Sequence, residues 1–266
     1  MNKLLDFFAE THTPFLHARG QAGTLALMGM LNPKSGERIL EIGFGTGHTQ
    51  VELWCRFPDL ELHGVEKSPR MLATARRRFR LCGLRADTMQ LYQSALPYPD
   101  AHFHAVFCES VLAIVPDAEL PALFVEMFRV LKPGGRLCAN ESLWLEDVSP
   151  ATIANINKTC LDAFGLIQAS GAYPYPADWR ALGENAGFVW QPSLALDAYG
   201  PPPGPRSAGR LWRSVLFSRW GWLKKKFLPH FRRQERRLRE QERQFAAYGT
   251  YLSGRLLVFE KPDLSI

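Results

Sequence analysis

The stretch Ile39-Leu-Glu-Ile-Gly-Phe-Gly-Thr-Gly47 decides how this chain is read. Arg38 to Ile42 is a short apolar run with the composition of a strand buried on both faces. Glycines follow at 43, 45 and 47, and a helical pattern resumes from about Thr49 to Phe57. A glycine turn between a buried strand and a helix lets the backbone approach a ligand where side chains would block it. In an open α/β sheet that ligand lies beyond the carboxyl ends of the strands.

The spacing discriminates between ligands. A dinucleotide fingerprint, G-x-G-x-x-G, requires glycine at position 48, and His48 stands there. Glu66 ends a second strand predicted from Leu60, 23 residues after Gly43. A carboxylate at that place can accept hydrogen bonds from both hydroxyls of a ribose.

Outward from the turn, strand-like and helical patterns alternate from Gly36 to about Asn140. Ser68-Pro69 reads as an N-cap with proline at the first helical position. Further strands are predicted at 88–92, 104–108 and 136–140, with Lys132-Pro-Gly-Gly135 ending the helix that starts at Leu120. Such alternation argues for a parallel sheet with right-handed crossovers. Helices are predicted before it, over 3–9 and 20–31, and after it, over 150–164 and 177–186. Two more strands, at 187–190 and 256–260, complete the pattern.

Glu41-x-Gly-x-Gly-x-Gly47 resembles the first motif of class I S-adenosylmethionine-dependent methyltransferases. Ser94-Ala-Leu-Pro-Tyr-Pro-Asp100 is similar to that family's D-A-x-x-L-P-F-P-D loop in shortened form. His102-Phe-His-Ala-Val-Phe107 resembles its S-F-D-x-V strand, and Arg129-Val-Leu-Lys-Pro-Gly-Gly-Arg136 its R-V-L-K-P-G-G-x segment. Together these motifs resemble the branch holding ubiquinone, menaquinone and sterol methyltransferases, over residues 36–140. The resemblance implies an α/β, Rossmann-like methyltransferase fold: a mostly parallel seven-stranded sheet with helices on both faces. It implies S-adenosylmethionine as cofactor, held by Glu41, Gly43, Gly45, Gly47, Glu66, Lys67, Ser94, Ala95 and Glu109. It also implies a small acceptor, lipophilic or aromatic, and an N-terminal segment that folds over the cofactor. The chain departs from the pattern at Ser94, where an acid often reads the adenine, at His104, at Phe44 and at Leu112-Ala-Ile114.

The cofactor of such enzymes already activates its methyl group, so positioning can carry much of the catalysis. A base is needed only for a protonated acceptor. Glu109 after the fourth strand, and His12 and His17 in the N-terminal segment, are the candidates. Trp144, Tyr173, Tyr175 and Trp179 are candidates for the lining of an apolar acceptor pocket.

At 266 residues the chain suits one such domain with an elaboration. The expected division is a helical lid over 1–35, the cofactor-binding core over 36–200, a basic helical insertion over 201–250, and a closing strand of the core over 251–266. No run of about 18 apolar residues suggests a transmembrane helix. Acids interrupt the apolar N-terminus, which does not read as a signal peptide. The five cysteines form no C-x-x-C pair, so no metal site is expected and reduced cytoplasmic thiols are.

The net charge of +6 is unevenly placed. Residues 206–243 hold 13 Lys/Arg against 3 Asp/Glu, and the remainder is mildly acidic. Tryptophans mixed with cations there suit an anionic membrane surface, which makes 206–243 a candidate for peripheral membrane contact; the alternative is an insertion that packs as a lid or dimer contact with a solvated outer face. Nucleic acid is a weaker partner, since the fourth strand runs into Cys108-Glu-Ser-Val111 rather than an N-P-P-Y loop. Three rivals stand beside a small-molecule methyltransferase: an RNA or protein methyltransferase using the basic arm, a nicotinamide enzyme disfavoured by His48, and a non-catalytic binder of the same cofactor.

Overall fold

A computed structural model describes residues 3–17, 19–92, 95–192 and 202–263. Ser94, and Pro201 at the start of the proline-rich break, fall outside them. Two helices, α1 (Lys3–Glu10) and α2 (Gly20–Leu31), precede the sheet. The alternating part runs β1 (Arg38–Ile42), α3 (His48–Arg56), β2 (Glu61–Glu66), α4 (Pro69–Cys82), β3 (Asp87–Gln90), β4 (Phe103–Glu109), α5 (Leu120–Val130) and β5 (Leu131–Trp144). Then follow α6 (Pro150–Phe164), α7 (Pro176–Asn185), β6 (Val189–Gln191), α8 (Ala208–Phe227), α9 (Pro229–Phe245) and β7 (Leu252–Glu260).

The seven strands form one sheet in the order β3-β2-β1-β4-β5-β7-β6. β1 to β5 are parallel, and β7 runs antiparallel between β5 and β6. This is the seven-stranded, mostly parallel α/β sheet expected. Because side chains alternate along a strand, β1 feeds two cores. Leu40 and Ile42 pack with α5 and α7 on one face, and Ile39 packs with α2, α3 and α4 on the other. Val106 and Ala105 divide β4 in the same way. Ser68 caps α4 as expected, its hydroxyl accepting the Met71 N–H at 3.3 Å.

Several strand boundaries differ from expectation: β3 ends at Gln90 rather than at 92, and β6 runs Val189–Gln191 rather than 187–190. Lys132-Pro-Gly-Gly135 stays within β5: Leu131 already pairs with Phe103, and the register shifts before Arg136 meets Ala105. β7 begins at Leu252 rather than Leu256, because its pairing with β5 continues unbroken to Trp144.

Between β6 and β7, helix α8 packs against α3 and α4, behind the glycine turn. Arg78 of α4 is the joint. Its guanidinium is fully buried and donates to the carbonyls of Thr46 (2.8 Å), Ser214 (3.0 Å) and His12 (3.1 Å), and to the hydroxyls of Ser214 and Ser218. Burial pulls its pKa down to about 9, which still leaves it charged at neutral pH. His48 opens α3 and shares the Ser214 hydroxyl at 2.8 Å. Burial, then the nearby charge of Arg78, lowers its pKa to about 3, so the ring is neutral. The residue that broke the dinucleotide pattern is therefore a docking point for α8. Among the described residues no helix is long and apolar enough to cross a membrane.

Candidate active site

A cavity of about 610 Å³ opens beyond the carboxyl ends of β1, β2 and β4. Its polar end is built from three strand ends. β1 delivers Glu41 and the glycine turn, β2 delivers Glu66 and Lys67, and β4 delivers Glu109 and Ser110. Its apolar end comes from α1 (Leu4, Leu5, Phe8), from Leu16, and from Val111, Ile114 and Val115 after β4.

The turn needs its glycines for different reasons. All three have positive φ, +69° at Gly43, +54° at Gly45 and +78° at Gly47. A Cβ on Gly43 would sit 2.5 Å from a Val111 methyl, and one on Gly47 would sit 2.5 Å from the Phe79 ring. A Cβ on Gly45 would meet only Leu16, at 3.6 Å, and would otherwise point into open cavity. Gly45 is thus the glycine that leaves room for a ligand, while Gly47 serves helix packing and does not line the cavity.

Glu66 is buried, yet each of its oxygens takes one backbone N–H, from Gly45 (2.8 Å) and from Ser68 (2.8 Å). Its carboxylate is fixed at the cavity wall with acceptor capacity left on both oxygens. Burial raises its pKa above the usual carboxylate range, against the pull of those N–H groups. Glu41 is raised well above that range, first by burial and then by the neighbouring charges of Glu109 and Glu66. Glu41 Oε2 and Gln50 Oε1 have no hydrogen-bond partner among the described residues.

Glu109 sits in a closed ring of donors. It accepts from Thr49 Oγ1 (2.9 Å), Thr24 Oγ1 (3.1 Å) and Asn140 Nδ2 (3.3 Å), and His17 Nε2 lies 3.5 Å from its Oε2. His17 Nε2 is also 3.0 Å from the Thr24 hydroxyl. Burial pushes Glu109 up, and His17 with the three donors pulls the other way. Ser110, beside it on the wall, is held at φ 51°, a left-handed conformation rare outside glycine.

The other expected residues lie elsewhere. His12 is stacked on Phe217 of α8 at 4.1 Å and bonded to its carbonyl at 3.0 Å. Burial lowers its pKa to about 4, so it is a neutral docking residue outside the cavity. Ala95 is exposed and off the cavity, because the next residue is anchored the other way, Leu96 N–H donating to Glu126 at 2.7 Å. Ser94 lies outside the described residues. The aromatic residues expected around an acceptor are core instead. Trp144 and Trp179 are fully buried, with indole N–H groups bonded to Ser170 and Tyr173 carbonyls, and the Tyr175 hydroxyl donates to Val148 O. Aromatic composition alone did not separate pocket from core.

Sequence reasoning passed over Thr24, Thr49, Asn140 and Glu141. Glu141 is buried beside β4 and accepts the N–H groups of Val111, Leu112 and Ala113, each at 3.1 Å, which fixes the turn forming the apolar wall. Burial raises it to about 7 despite those bonds. The one usable signal was a polar residue, Asn140 or Glu141, at the end of an otherwise apolar strand.

Comparison with known proteins agrees with this geometry. Residues 39–135 match the family model described as a methyltransferase domain. The chain is 37% identical over 141 residues to a demethylmenaquinone methyltransferase of Thermus thermophilus, covering 53% of this chain and 59% of that one. It is 28% identical over 196 residues to an uncharacterized methyltransferase of Bacillus subtilis, covering 74% and 78%. Among solved structures, phosphoethanolamine N-methyltransferase 2 of Haemonchus contortus, in complex with S-adenosyl-L-methionine, superposes with a TM-score of 0.66 at 19% identity, over 96% of this chain and 56% of that chain. The glycine turn, the strand order and the family match agree: residues 39–135 match a methyltransferase domain, carried on the Rossmann-like fold that the methyltransferase structures share.

Proposed function

We propose that this protein transfers a methyl group from S-adenosylmethionine to a small, lipophilic acceptor. The observation that carries the reading is the cavity's two-ended character: carboxyl groups, Glu41, Glu66 and Glu109 among them, and a glycine turn at one end, and aliphatic side chains with Phe8 at the other. The residues fit the cofactor. Glu66 has free acceptor positions where two hydroxyls would bind, Gly45 leaves open space before the backbone, and clustered acids suit a ligand carrying positive charge. Glu41 and Lys67 stand at the same end. When bound, S-adenosylmethionine supplies a methyl group activated on a sulfonium centre.

The chain's own residues then orient, exclude water and handle a proton. Leu4, Leu5 and Phe8 of α1 cover the apolar end, and the Thr46 hydroxyl ties the N-terminal segment over the turn by donating to Thr13 O at 2.7 Å. Glu109 and His17 form the proton-handling pair for an acceptor that must be deprotonated. An acceptor of the apolar kind named for the Thermus relative suits this wall. The same reading places the protein in the cytoplasm, supported by five buried free thiols, with peripheral membrane contact through 206–243.

The test is radiolabelled methyl transfer from S-adenosylmethionine to a panel of quinol-like and phenolic acceptors, with RNA and protein fractions alongside. Transfer to the lipophilic acceptors is expected. Transfer to RNA or protein alone would replace this reading with its rival.

Two further outcomes are expected. Glu66→Ala should weaken S-adenosylhomocysteine binding by about 1–3 kcal/mol, the cost of losing hydrogen bonds to a charged group; calorimetry reads it, and an unchanged Kd would remove the ribose from Glu66. The second concerns pH. Raised carboxyl pKa values mean that the free protein holds protons at this end above the usual carboxylate range. Binding a cationic ligand favours the ionised forms, so it should release protons, and affinity should rise as pH rises through that range. Titrations in buffers of different ionisation enthalpy measure the release. In the same window Glu109→Gln should flatten the acid limb of the rate profile and lower kcat by roughly 10²–10⁴ if the pair acts as base.

A further inference from the structure

Helix α8 is turned inside out relative to an ordinary surface helix. The centre of the face it lays on the core is made of small and polar groups, with half-buried Leu211 and Phe217 at its flanks. Ser214 and Gly221 are buried, and a Cβ on Gly221 would collide with the Thr11 carbonyl. Most of its large apolar side chains point to solvent. Trp212, Leu216, Trp220, Leu223 and Phe227 follow one another three or four residues apart and share a sector of about 80° on the helix. They are 53%, 45%, 60%, 36% and 66% exposed. Trp222 and Leu228 widen the patch at the C-terminal end, 52% and 41% exposed.

Cations frame this stripe. α8 carries six Lys/Arg and no acid. Arg219 lies over the Trp212 ring, and Lys226 lies over Trp222 and Phe227. Arg213 is exposed beside the stripe, and α9 adds exposed Arg232 and Arg236 beside Trp222 and Phe227. Exposed apolar patches of this kind mark contact surfaces. The charge identifies the partner. A twofold contact of α8 with a second copy would set its cations against themselves. A nucleic acid would satisfy the cations and leave Leu216, Leu223 and Phe227 in water. An anionic lipid surface takes both, with aromatic and aliphatic side chains at headgroup depth and cations at the phosphates.

We infer that the exposed face of α8 is a peripheral docking surface for anionic membranes, seated by Trp212, Leu216, Trp220, Leu223 and Phe227. This inference is independent of the acceptor's identity.

Co-sedimentation of the full chain with phosphatidylcholine vesicles, with and without phosphatidylglycerol, tests it. Binding is expected only with phosphatidylglycerol, should fall with salt, and should blue-shift tryptophan emission. Trp220→Ser with Leu223→Ser, and separately Arg219→Glu with Lys226→Glu, should each weaken it by about tenfold or more. Both pairs are exposed and outside the cavity, so S-adenosylhomocysteine binding should not change in either. No vesicle binding at low salt overturns the inference. So does binding that neither variant alters, or a stripe-dependent dimer, seen by sedimentation velocity, that replaces lipid binding.

Discussion

Gly45→Val should abolish S-adenosylhomocysteine binding while leaving most of the fold's stability in place. The two halves of that result have separate causes. A side chain at position 45 would meet little protein, since only Leu16 lies within 4 Å of the Cβ position, at 3.6 Å. Its cost to folding is then mainly the left-handed backbone at φ +54°, about 1–2 kcal/mol. The isopropyl group would project into the cavity on the Leu16 side of the turn, beside the Gly45 N–H that holds Glu66. Losing that space and misaligning that N–H should exceed about 3 kcal/mol together, more than a hundredfold in Kd. Calorimetry with S-adenosylhomocysteine, beside a urea melt of the same variant, separates the effects. Retained affinity in a folded Gly45→Val protein would show that the ligand does not pass the turn.

Arg78→Leu should be the most destabilising single change outside the sheet, by about 3–5 kcal/mol. It strands the buried carbonyls of Thr46 and His12 and takes a donor from Ser214, whose hydroxyl keeps only His48, and an unsatisfied buried acceptor costs about 1–3 kcal/mol. These partners belong to three different parts of the chain: the glycine turn, α8 and the N-terminal segment. The urea midpoint should fall, and amides of α8 should exchange faster than those of β1 and β4. Arg78→Lys should rescue only part, because one ammonium cannot reproduce the planar fork. A near-native midpoint for Arg78→Leu would mean that water replaces the guanidinium, and that α8 is held by its other contacts.

The legible part of this molecule is the part governed by short-range rules. Gly43, Gly45 and Gly47 stand between an apolar run and a helix, and Ser68-Pro69 is a cap; both are local patterns that tertiary packing had no reason to override. Glu66 was placed by its distance from the turn, which the parallel β1–β2 register makes meaningful. The donors around Glu109 were illegible because Thr24, Thr49 and Asn140 come from α2, α3 and β5, and only the folded sheet brings them together. His12 and His17 look equivalent in sequence. One ring turns to α8 and the other to Glu109, a difference decided by contacts with Phe217 and Thr24. Charge counting singled out 206–243, but which side of α8 faces outward depended on Arg78 and His48, residues that carry no such signal alone.

The place of β7 governs the order in which the molecule can assemble. It is the last strand in sequence, yet it lies inside the sheet, with β5 on one side and β6 on the other. Until it arrives, both neighbours present open edges, and β6 has no strand to pair with. Its arrival must wait for the chain between Gln191 and Leu252, including α8 and α9, to be made and to return. During synthesis, then, a half-finished molecule displays a long apolar edge on β5 next to an unpaired β6, the arrangement most exposed to misassociation.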